Sequence, residues 1–481
     1  MMNNASHQRE NPEDSAPTHA GWKVLLVTSI AAILTGFAAW YFVLAEDWGA
    51  TLLSSLRGDG TFLGYEINGS LRVILPAGFM AIMMMLIVVV QRKWFPGTEG
   101  TGIPQAIAAL KIGSCKERSM MLSLRIAFGK TILLTGALLS GITVGREGPS
   151  VHVGACLMQL SCRFVRVPPW LMERGLILAG SAAGIAAAFN TPIAGVIFCF
   201  EEVGRTFDKK SVACVIRTVA LACAVGVFFM GDYHFYTQVN REVSLPLGFL
   251  SGGDFTNFLA ELRQWIAVPI IGIMGGFLGG WFGRFVVTVS RFTGPRLVKH
   301  PWITGGILGL MLALVAVCSF GESYGGGYAQ AKQMLVNAHH TGTPETVWYY
   351  PFAKAAASFI SLVSAIPGGL FDPSLATGAG LGQVTYPIFD QYIAPGIGLP
   401  QVMMLFMAAY FAGVVQSPIT VFAIMAEMTG AYGMILPLMF ASMIGAMVAN
   451  RICKPSIYEA LAYQFLAAKK IQHLAPPEEE D

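Results

Sequence analysis

One ionisable residue, Glu147, stands in a glycine-rich stretch between two uncharged apolar segments. The stretch runs Gly145-Arg146-Glu147-Gly148-Pro149-Ser150. Glycine permits a tight backbone and proline suits the first position of a helix, so the stretch predicts a loop that enters a helix N-terminus. Free N–H groups and the positive end of a helix dipole bind anions. Taken alone, the stretch leaves two interpretations open: a functional carboxyl in an apolar interior, or a turn whose charged side chains face water.

Composition decides the class of protein that must position this carboxyl. The chain has 481 residues, of which 54% are hydrophobic and 12% charged, and its mean hydropathy is +0.59. Soluble domains carry roughly 25% charged residues, so the composition predicts an all-α polytopic membrane protein. The net charge of +3 argues against a nucleic-acid partner. The eight cysteines form no CxxC pair, and we interpret them as core residues rather than as metal ligands or disulfides.

Charge and hydropathy along the chain predict its course through the membrane. Val24–Leu44 and Leu71–Val90 are long enough to span a bilayer, and the basic residues beside them predict cytoplasmic flanks. Segments 45–70 and 231–262 are then expected to be outside loops. Residues 1–21 are expected to be a disordered cytoplasmic N-terminal tail and residues 471–481 an acidic C-terminal tail, with both termini cytoplasmic.

Two apolar segments, Gly175–Ala188 and Pro192–Phe200, are too short or too broken for a full span. Broken helices at membrane depth are tolerated where they line a cavity or are buried in protein. We therefore expect these segments to lie inside the molecule.

Three patterns recur about 225 residues later in the chain. Gly100-Thr101-Gly102-Ile103-Pro104-Gln105-Ala106 returns as Gly325-Gly326-Gly327-Tyr328-Ala329-Gln330-Ala331. The glycine, proline and serine of the Gly145 stretch return at Gly369, Pro373 and Ser374, and Pro192 with Glu201 returns as Pro418 with Glu427. These matches predict two halves, about 22–235 and 260–470. The basic flanks place the two glycine loops on opposite sides of the membrane, so the repeat is inverted and its sites should lie near the midplane.

The pairing predicts three loops that each begin a helix with a proline: Gly100–Pro104, Gly145–Pro149 and Gly369–Pro373. Loops that present N–H groups in this way require an anion rather than a cation. Thr101 adds a hydroxyl donor, and two interpretations of it remain open. It either binds the anion or caps its own helix.

At these residues the sequence resembles the chloride channel (CLC) family. That family carries the segments G-S-G-I-P, G-R-E-G-P and G-I-F-A-P, followed by a tyrosine at the start of the last membrane helix. The corresponding segments here are Gly100-Thr101-Gly102-Ile103-Pro104, Gly145-Arg146-Glu147-Gly148-Pro149 and Gly369-Leu370-Phe371-Asp372-Pro373, and the tyrosine is Tyr458. The resemblance spans about residues 22–470 and implies an inverted repeat of many tilted and broken helices.

The resemblance implies a chloride/proton antiporter, with a passive voltage- or pH-gated chloride channel as the alternative. It implies that the hydroxyls of Thr101 and Tyr458 and the N–H groups of Leu370 and Phe371 bind chloride. Glu147 would be the gating carboxyl, because a carboxylate and a chloride ion compete for the same donors. Members that exchange chloride for protons have a carboxyl at the position of Glu202.

Other polar residues carry weaker expectations. Glu202 could equally be a solvated helix end, and Glu427 is expected to be a structural acid. Lys130 is expected to set the electric field at Glu147. Asp372 replaces the usual small neutral residue, and we expect it to cap its own helix. His152 is either an additional titrating group or a packing residue.

An intramembrane enzyme is the competing class, but the sequence offers little for one. The Gly-x-Ser-x-Gly pattern at Gly321–Gly325 indicates a nucleophile only on the strand-to-helix turn of a sheet. The glycines at 97–102 lack the Lys-Ser/Thr of a nucleotide-binding loop. We therefore expect no enzymatic activity, no metal and no cofactor besides the transported chloride. The resemblance also implies a homodimer in a bacterial inner membrane.

Overall fold

The chain is described by a computed structural model over residues 21–58, 61–62, 65–66, 71–112, 115–167, 171–206, 209–231, 236 and 255–468. The tails predicted at 1–21 and 471–481 lie outside these residues, except for Gly21, which starts the first helix. The described residues are almost entirely helical, as predicted. Besides the loops between the helices, they include one antiparallel pair of two-residue strands, β1 (Thr61–Phe62) and β2 (Tyr65–Glu66).

Nine helices form the first half of the described chain. In order they are α1 Gly21–Leu56, α2 Leu71–Trp94, α3 Ile103–Lys111, α4 Cys115–Ser119, α5 Leu124–Leu139, α6 Glu147–Leu160, α7 Leu176–Phe189, α8 Pro192–Phe198 and α9 Lys209–Met230. Short 3₁₀ or π turns at Ser161–Arg163, Leu171–Gly175 and Cys199–Val203 adjoin α6, α7 and α8.

Nine more helices form the second half. They are α10 Phe255–Lys299, α11 Pro301–Cys318, α12 Tyr328–Thr341, α13 Tyr350–Val363, α14 Phe371–Ile388, α15 Leu399–Val415, α16 Pro418–Thr429, α17 Ile435–Ile452 and α18 Ile457–Ala468. A π turn at Phe389–Ile393 follows α14, and a 3₁₀ turn at Tyr432–Met434 precedes α17.

The two halves match helix by helix. Helices α3, α6, α7 and α8 correspond to α12, α14, α15 and α16, which begin about 225 residues later. Packing matches as well, since α6 packs on α7 as α14 packs on α15. The backbone links between the halves are reciprocal: Gly100 N–H donates to the carbonyl of Ala365 at 2.8 Å, and Gly325 N–H donates to that of Gly141 at 2.9 Å. The predicted inverted repeat is confirmed.

Each half is built around one short, fully buried helix. All residues of α7 are buried, as are all residues of α15. A helix that is apolar on every side belongs in an interior, so Gly175–Ala188 lies inside the protein as expected. Pro192–Phe200 does so only in part, because Pro192 and Ile193 at the start of α8 are exposed. Gly154 on α6 and Gly180 on α7 allow the two backbones to touch, because a Cβ on either glycine would overlap the carbonyl of the other.

Seven helices in the described part of the chain are long and apolar enough to cross a membrane. The protein is a multi-pass integral membrane protein. Many large apolar side chains remain exposed on its surface, as a lipid-facing surface requires.

Several predicted boundaries were wrong. Residues 45–56 are not loop but the last turns of α1, because Gly49 packs closely on the carbonyl of Leu138 and lets the helix continue along α5. Segment 231–262 is helical from Phe255 onward, and of residues 232–254 only Tyr236 is described.

The prolines of two glycine loops also sit deeper in their helices than expected. Helix α6 begins at Glu147 and α14 at Phe371, so Pro149 and Pro373 are each the third helical residue. Proline is tolerated there because the first four N–H groups of a helix have no partner within it.

Candidate anion and proton site

The starts of three helices meet at one point in the interior. Gly145 and Gly369 form an antiparallel bridge in which Gly145 N–H donates to Gly369 at 2.8 Å and Gly369 N–H donates to Gly145 at 2.5 Å. Gly148, in the first turn of α6, packs directly against Thr101 before α3. The predicted loops are thus brought together, and the positive ends of α3, α6 and α14 share a small region.

Two hydroxyl groups at this point are buried without a hydrogen-bond partner. Thr101 is 2% exposed and Tyr458 is fully buried, and neither oxygen contacts a donor or acceptor among the described residues. Thr101 does not cap its helix, because the residue before α3 is Gly102 with a left-handed φ of 99°. A buried hydroxyl without a partner is costly, so both positions fit a ligand that accepts hydrogen bonds.

The start of α14 lies beside Tyr458. The rings of Phe371 and Tyr458 are 6.4 Å apart, and a further aromatic contact with Phe411, at 4.5 Å, holds the ring of Phe371. Leu370 and Phe371 are both buried, and their N–H groups precede or open the first turn of α14, where no helical partner exists. Helix α18, which carries Tyr458, also packs on α3.

Glu147 is fully buried as the first residue of α6, and neither oxygen of its carboxyl accepts a hydrogen bond from the described residues. The side chain folds over the bridge between the halves. A Cβ on Gly145 or on Gly369 would overlap the Glu147 carboxyl, so glycine at both positions leaves room for that carboxyl over the bridge. The carboxyl therefore occupies the place where the helix starts would receive an anion.

Arg146 is neutralised by a residue that the sequence analysis missed. Its Nη1 pairs with Glu46, which lies on α1 within the segment predicted as loop. The guanidinium also lies over the ring of Tyr328, 5.7 Å from the ring centre. If the predicted first helix had been extended beyond Leu44, Glu46 would have stood out as an acidic residue in an apolar helix.

Glu202 is a second buried carboxyl near Tyr458. It is 2% exposed in the π turn after α8, and it accepts a hydrogen bond from the hydroxyl of Ser417. Arg205 Nη2 is 3.8 Å from its other oxygen. Tyr458 lies within electrostatic range of both Glu147 and Glu202. Glu202 is therefore not a solvated helix end but a buried acid near the same centre.

The family can be decided on sequence. The profile of the family described as voltage gated chloride channel matches residues 83–450. The chain belongs to this family. Because the matched region runs from α2 to α17, it includes all three glycine loops and both buried acids.

Solved structures of family members share the fold of this chloride channel family protein. A slow cyanobacterial Cl⁻/H⁺ antiporter superimposes with a TM-score of 0.74 at 22% identity, over 93% of this chain and 99% of the other. A CLC-type fluoride/proton antiporter gives 0.71 at 22% identity over 92% and 98%. A eukaryotic CLC transporter gives 0.67 at 22% identity over 92% and 74%.

Glu201, next to Glu202, caps a helix. Its carboxylate accepts the N–H groups of Ile419 at 3.0 Å and Thr420 at 2.6 Å, at the start of α16. Glu427 does the same at the start of α8, where it accepts the N–H groups of Ile193 at 3.1 Å and Ala194 at 2.7 Å. The two acids cap each other's helices across the repeat, so Glu427 is structural as expected.

Two buried lysines hold the glycine loops. Lys130 Nζ donates to the carbonyls of Thr98 at 3.0 Å and Gly100 at 2.7 Å. Lys354, its counterpart in the second half, donates to those of Ser323, Tyr324 and Gly325 at 3.1–3.2 Å. Lys130 thus positions the loop of Thr101 rather than only setting a field. The sequence analysis missed Lys354, although the repeat spacing from Lys130 could have found it.

Asp372 does not cap its helix, contrary to expectation. Helix α14 has no side-chain cap, and neither oxygen of Asp372 accepts a hydrogen bond from a described donor. The side chain is fully buried and its carboxyl contacts that of Glu147. The expectation failed because the tertiary contact with α6 turns the carboxyl away from its own N–H groups.

His152 packs against the loop before α3, and its buried Nδ1 has no hydrogen-bond partner among the described residues. It is fully buried, its Nε2 lies 2.9 Å from the carbonyl of Met121, and its ring fills the space against Gly102 where a Cβ would stand.

The features suggestive of an enzyme find no support in the described residues. Ser323 lies between helices α11 and α12 rather than on a strand, and its hydroxyl accepts a hydrogen bond from Ser319 at 3.0 Å. No group of three metal-ligating side chains occurs in the described part of the chain.

Proposed function

We propose that this protein exchanges chloride for protons across a membrane. The observation that carries the proposal is the position of two buried carboxyls, Glu147 and Glu202, near Tyr458, whose hydroxyl, like that of Thr101, has no hydrogen-bond partner among the described residues. Chloride would be held by the hydroxyls of Thr101 and Tyr458 and by the N–H groups that open α14. Two of the similar solved proteins are a Cl⁻/H⁺ antiporter and a fluoride/proton antiporter, which supports exchange.

Competition between Glu147 and chloride supplies the coupling. An ionised Glu147 occupies the donors at the helix starts and blocks the anion path. A protonated Glu147 has no charge to place there, so it leaves the donors to chloride. Each opening for chloride therefore requires a proton on Glu147. Glu202 would deliver that proton to or from the opposite face.

The test is flux from proteoliposomes loaded with chloride, with the external pH recorded at the same time. An outward chloride gradient should drive protons inward. Glu147→Gln and Glu202→Gln should each keep chloride flux and abolish the movement of protons, because the amides carry no titrating proton. Chloride flux without any pH change in the unmodified protein would show a passive channel instead.

Glu201→Gln is the matched control for Glu202→Gln. Glu201 is adjacent in sequence and is also a glutamate, but its carboxylate caps α16. The control variant should retain proton movement. If Glu201→Gln abolished it as Glu202→Gln does, the loss would reflect damage to the α8–α16 contact and not a proton path.

The family resemblance further supports a homodimer in a bacterial inner membrane with cytoplasmic termini. Ile193 and Ile419, equivalent residues at the starts of the adjoining helices α8 and α16, are 63% and 49% exposed and suit a contact with a second copy. A monomeric mass by light scattering in mild detergent would contradict the dimer.

A further inference from the structure

Glu147 and Asp372 form a buried pair of carboxyls. The Glu147 carboxyl lies against Gly369, three residues before Asp372, the two carboxyls interact with each other, and both residues are fully buried. None of the four carboxyl oxygens receives a hydrogen bond from any other described group. Ionised carboxylates can only accept hydrogen bonds, so a contact between two carboxyls requires a proton on one of them.

The charges around the pair favour one proton on the pair. Three carboxyls lie together on this side of the bridge between the halves: Glu46, Glu147 and Asp372. Arg146 pairs with Glu46, and Lys354 lies within electrostatic range of Glu322 and of Glu46. Three carboxylates against two cations would leave one net negative charge in a low-dielectric interior. A single proton makes the group neutral.

The remaining titratable groups near the pair do not change this count. Asp47 and Glu322 are exposed, so solvent and salt screen their charges. Tyr236, between the halves, and Tyr328, in the second half, lie near the pair and stay neutral as phenols.

We propose that Asp372 is a second proton-carrying carboxyl of the gate and shares one proton with Glu147. When the proton is on Asp372, its O–H donates to the Glu147 carboxylate and holds it against the helix starts. When the proton moves to Glu147, one O–H bond breaks on Asp372 as another forms on Glu147. The negative charge then passes to Asp372, and the neutral Glu147 can leave the anion donors.

This inference rests on the proposed function for its consequence in transport. Asp372 replaces the small neutral residue that the family usually carries, so the device would belong to this chain rather than to the family at large. Opening the gate would then need only a transfer over one hydrogen bond. A pair of this kind titrates in two coupled steps.

The transport test compares Asp372→Asn with the unmodified protein over a series of external pH values. Asparagine keeps the shape and an N–H donor but cannot transfer a proton. We expect proton movement per chloride to fall by roughly tenfold or more, and its pH dependence to change from two steps to one. Asp390→Asn, which alters an aspartate bonded to Gly396 outside the site, should behave like the unmodified protein. An unchanged ratio and pH profile in Asp372→Asn would overturn the proposal.

An infrared measurement tests the pair without relying on transport. The shared proton should give a carbonyl stretching band of a protonated, buried carboxyl in the purified protein near neutral pH. The same band should vanish in both Asp372→Asn and Glu147→Gln, because either change removes one of the two carboxyls that share the proton. A band that survives either change would overturn sharing.

Together, the transport and infrared measurements distinguish a failure of the proposed exchange from a failure of the carboxyl pair. If the protein moves chloride without protons but the band behaves as expected, the proposed exchange fails and the carboxyl pair stands. If exchange is present but Asp372→Asn leaves both readouts unchanged, only the pair fails. Should Asp372→Asn not fold, Asp372→Ala gives the same comparisons, since alanine is the small neutral residue of the family motif.

Discussion

The two loop-holding lysines allow a prediction whose magnitude depends on the details of their contacts. Lys130→Met and Lys354→Met each replace a fully buried ammonium with an uncharged side chain of similar length. The relief of ammonium desolvation is therefore about equal in the two variants. Any difference in their stability should come from the carbonyl groups that lose a donor.

Those carbonyls differ in how many keep a second donor. Near Lys354, the carbonyl of Ser323 still accepts the Thr143 hydroxyl at 2.7 Å, and that of Tyr324 still accepts the Gln330 amide at 3.2 Å. Only the carbonyl of Gly325 loses its sole described donor.

Near Lys130, one carbonyl keeps a donor and two do not. The carbonyl of Glu99 still accepts the Gln105 amide. The carbonyls of Thr98 and Gly100 have no other donor among the described residues. A buried carbonyl left without a partner costs about 1–3 kcal/mol. Lys130→Met should therefore destabilise the protein by about 1–3 kcal/mol more than Lys354→Met does.

The assay is pulse proteolysis of the two variants in mixed micelles over a titration with a denaturing detergent. The expected difference corresponds to roughly a five- to 150-fold difference in the open population. Equal stability, or a larger loss in Lys354→Met, would refute the reasoning, because the second donors of Ser323 and Tyr324 would then not substitute for the lysine.

Two further outcomes follow from the helix starts. Glu201→Gln and Glu427→Gln should lower the free energy of unfolding by similar amounts, about 1–3 kcal/mol each in the same assay. The reason is that each carboxylate accepts two N–H groups across the repeat. A large loss in one variant only would contradict reciprocal capping. Thr101→Pro should fold without loss of a cap, since the Thr101 hydroxyl makes no cap bond, and should shift the anion preference from chloride toward nitrate. An unchanged preference in anion competition would remove Thr101 from the chloride site.

The sequence alone was sufficient for the fold class and for the residues at the helix starts. The repeat matches between Gly100 and Gly325, and between Gly145 and Gly369, predicted two inverted halves, and reciprocal backbone bonds now join them. These positions are predictable because a glycine that must let a carboxyl or a second backbone approach cannot be another residue. Local requirements of the backbone can therefore be predicted from the types of the residues.

The ends of long helices could not be read in the same way. The apolar segment Val24–Leu44 was expected to end in an outside loop, yet α1 continues to Leu56 because it packs along α5. The difference between Glu201 and Glu202 was equally hidden, since both follow the same apolar helix. Only the placement of α16 and α18 decides that one acid caps a helix and the other lies beside Tyr458.

Asp372 is the clearest case in which prediction from the local sequence failed. At the first turn of a helix an aspartate usually bonds to its own backbone, and sequence reasoning expects that local bond. The antiparallel bridge between Gly145 and Gly369 brings α6 against α14 and sets the Glu147 carboxyl beside that of Asp372. The sequence by itself determined that three helix starts would attract an anion, because their N–H groups have no partner within the helix. Tertiary structure decided which carboxyls share that place, because contacts between residues more than 200 positions apart depend on how the two halves pack.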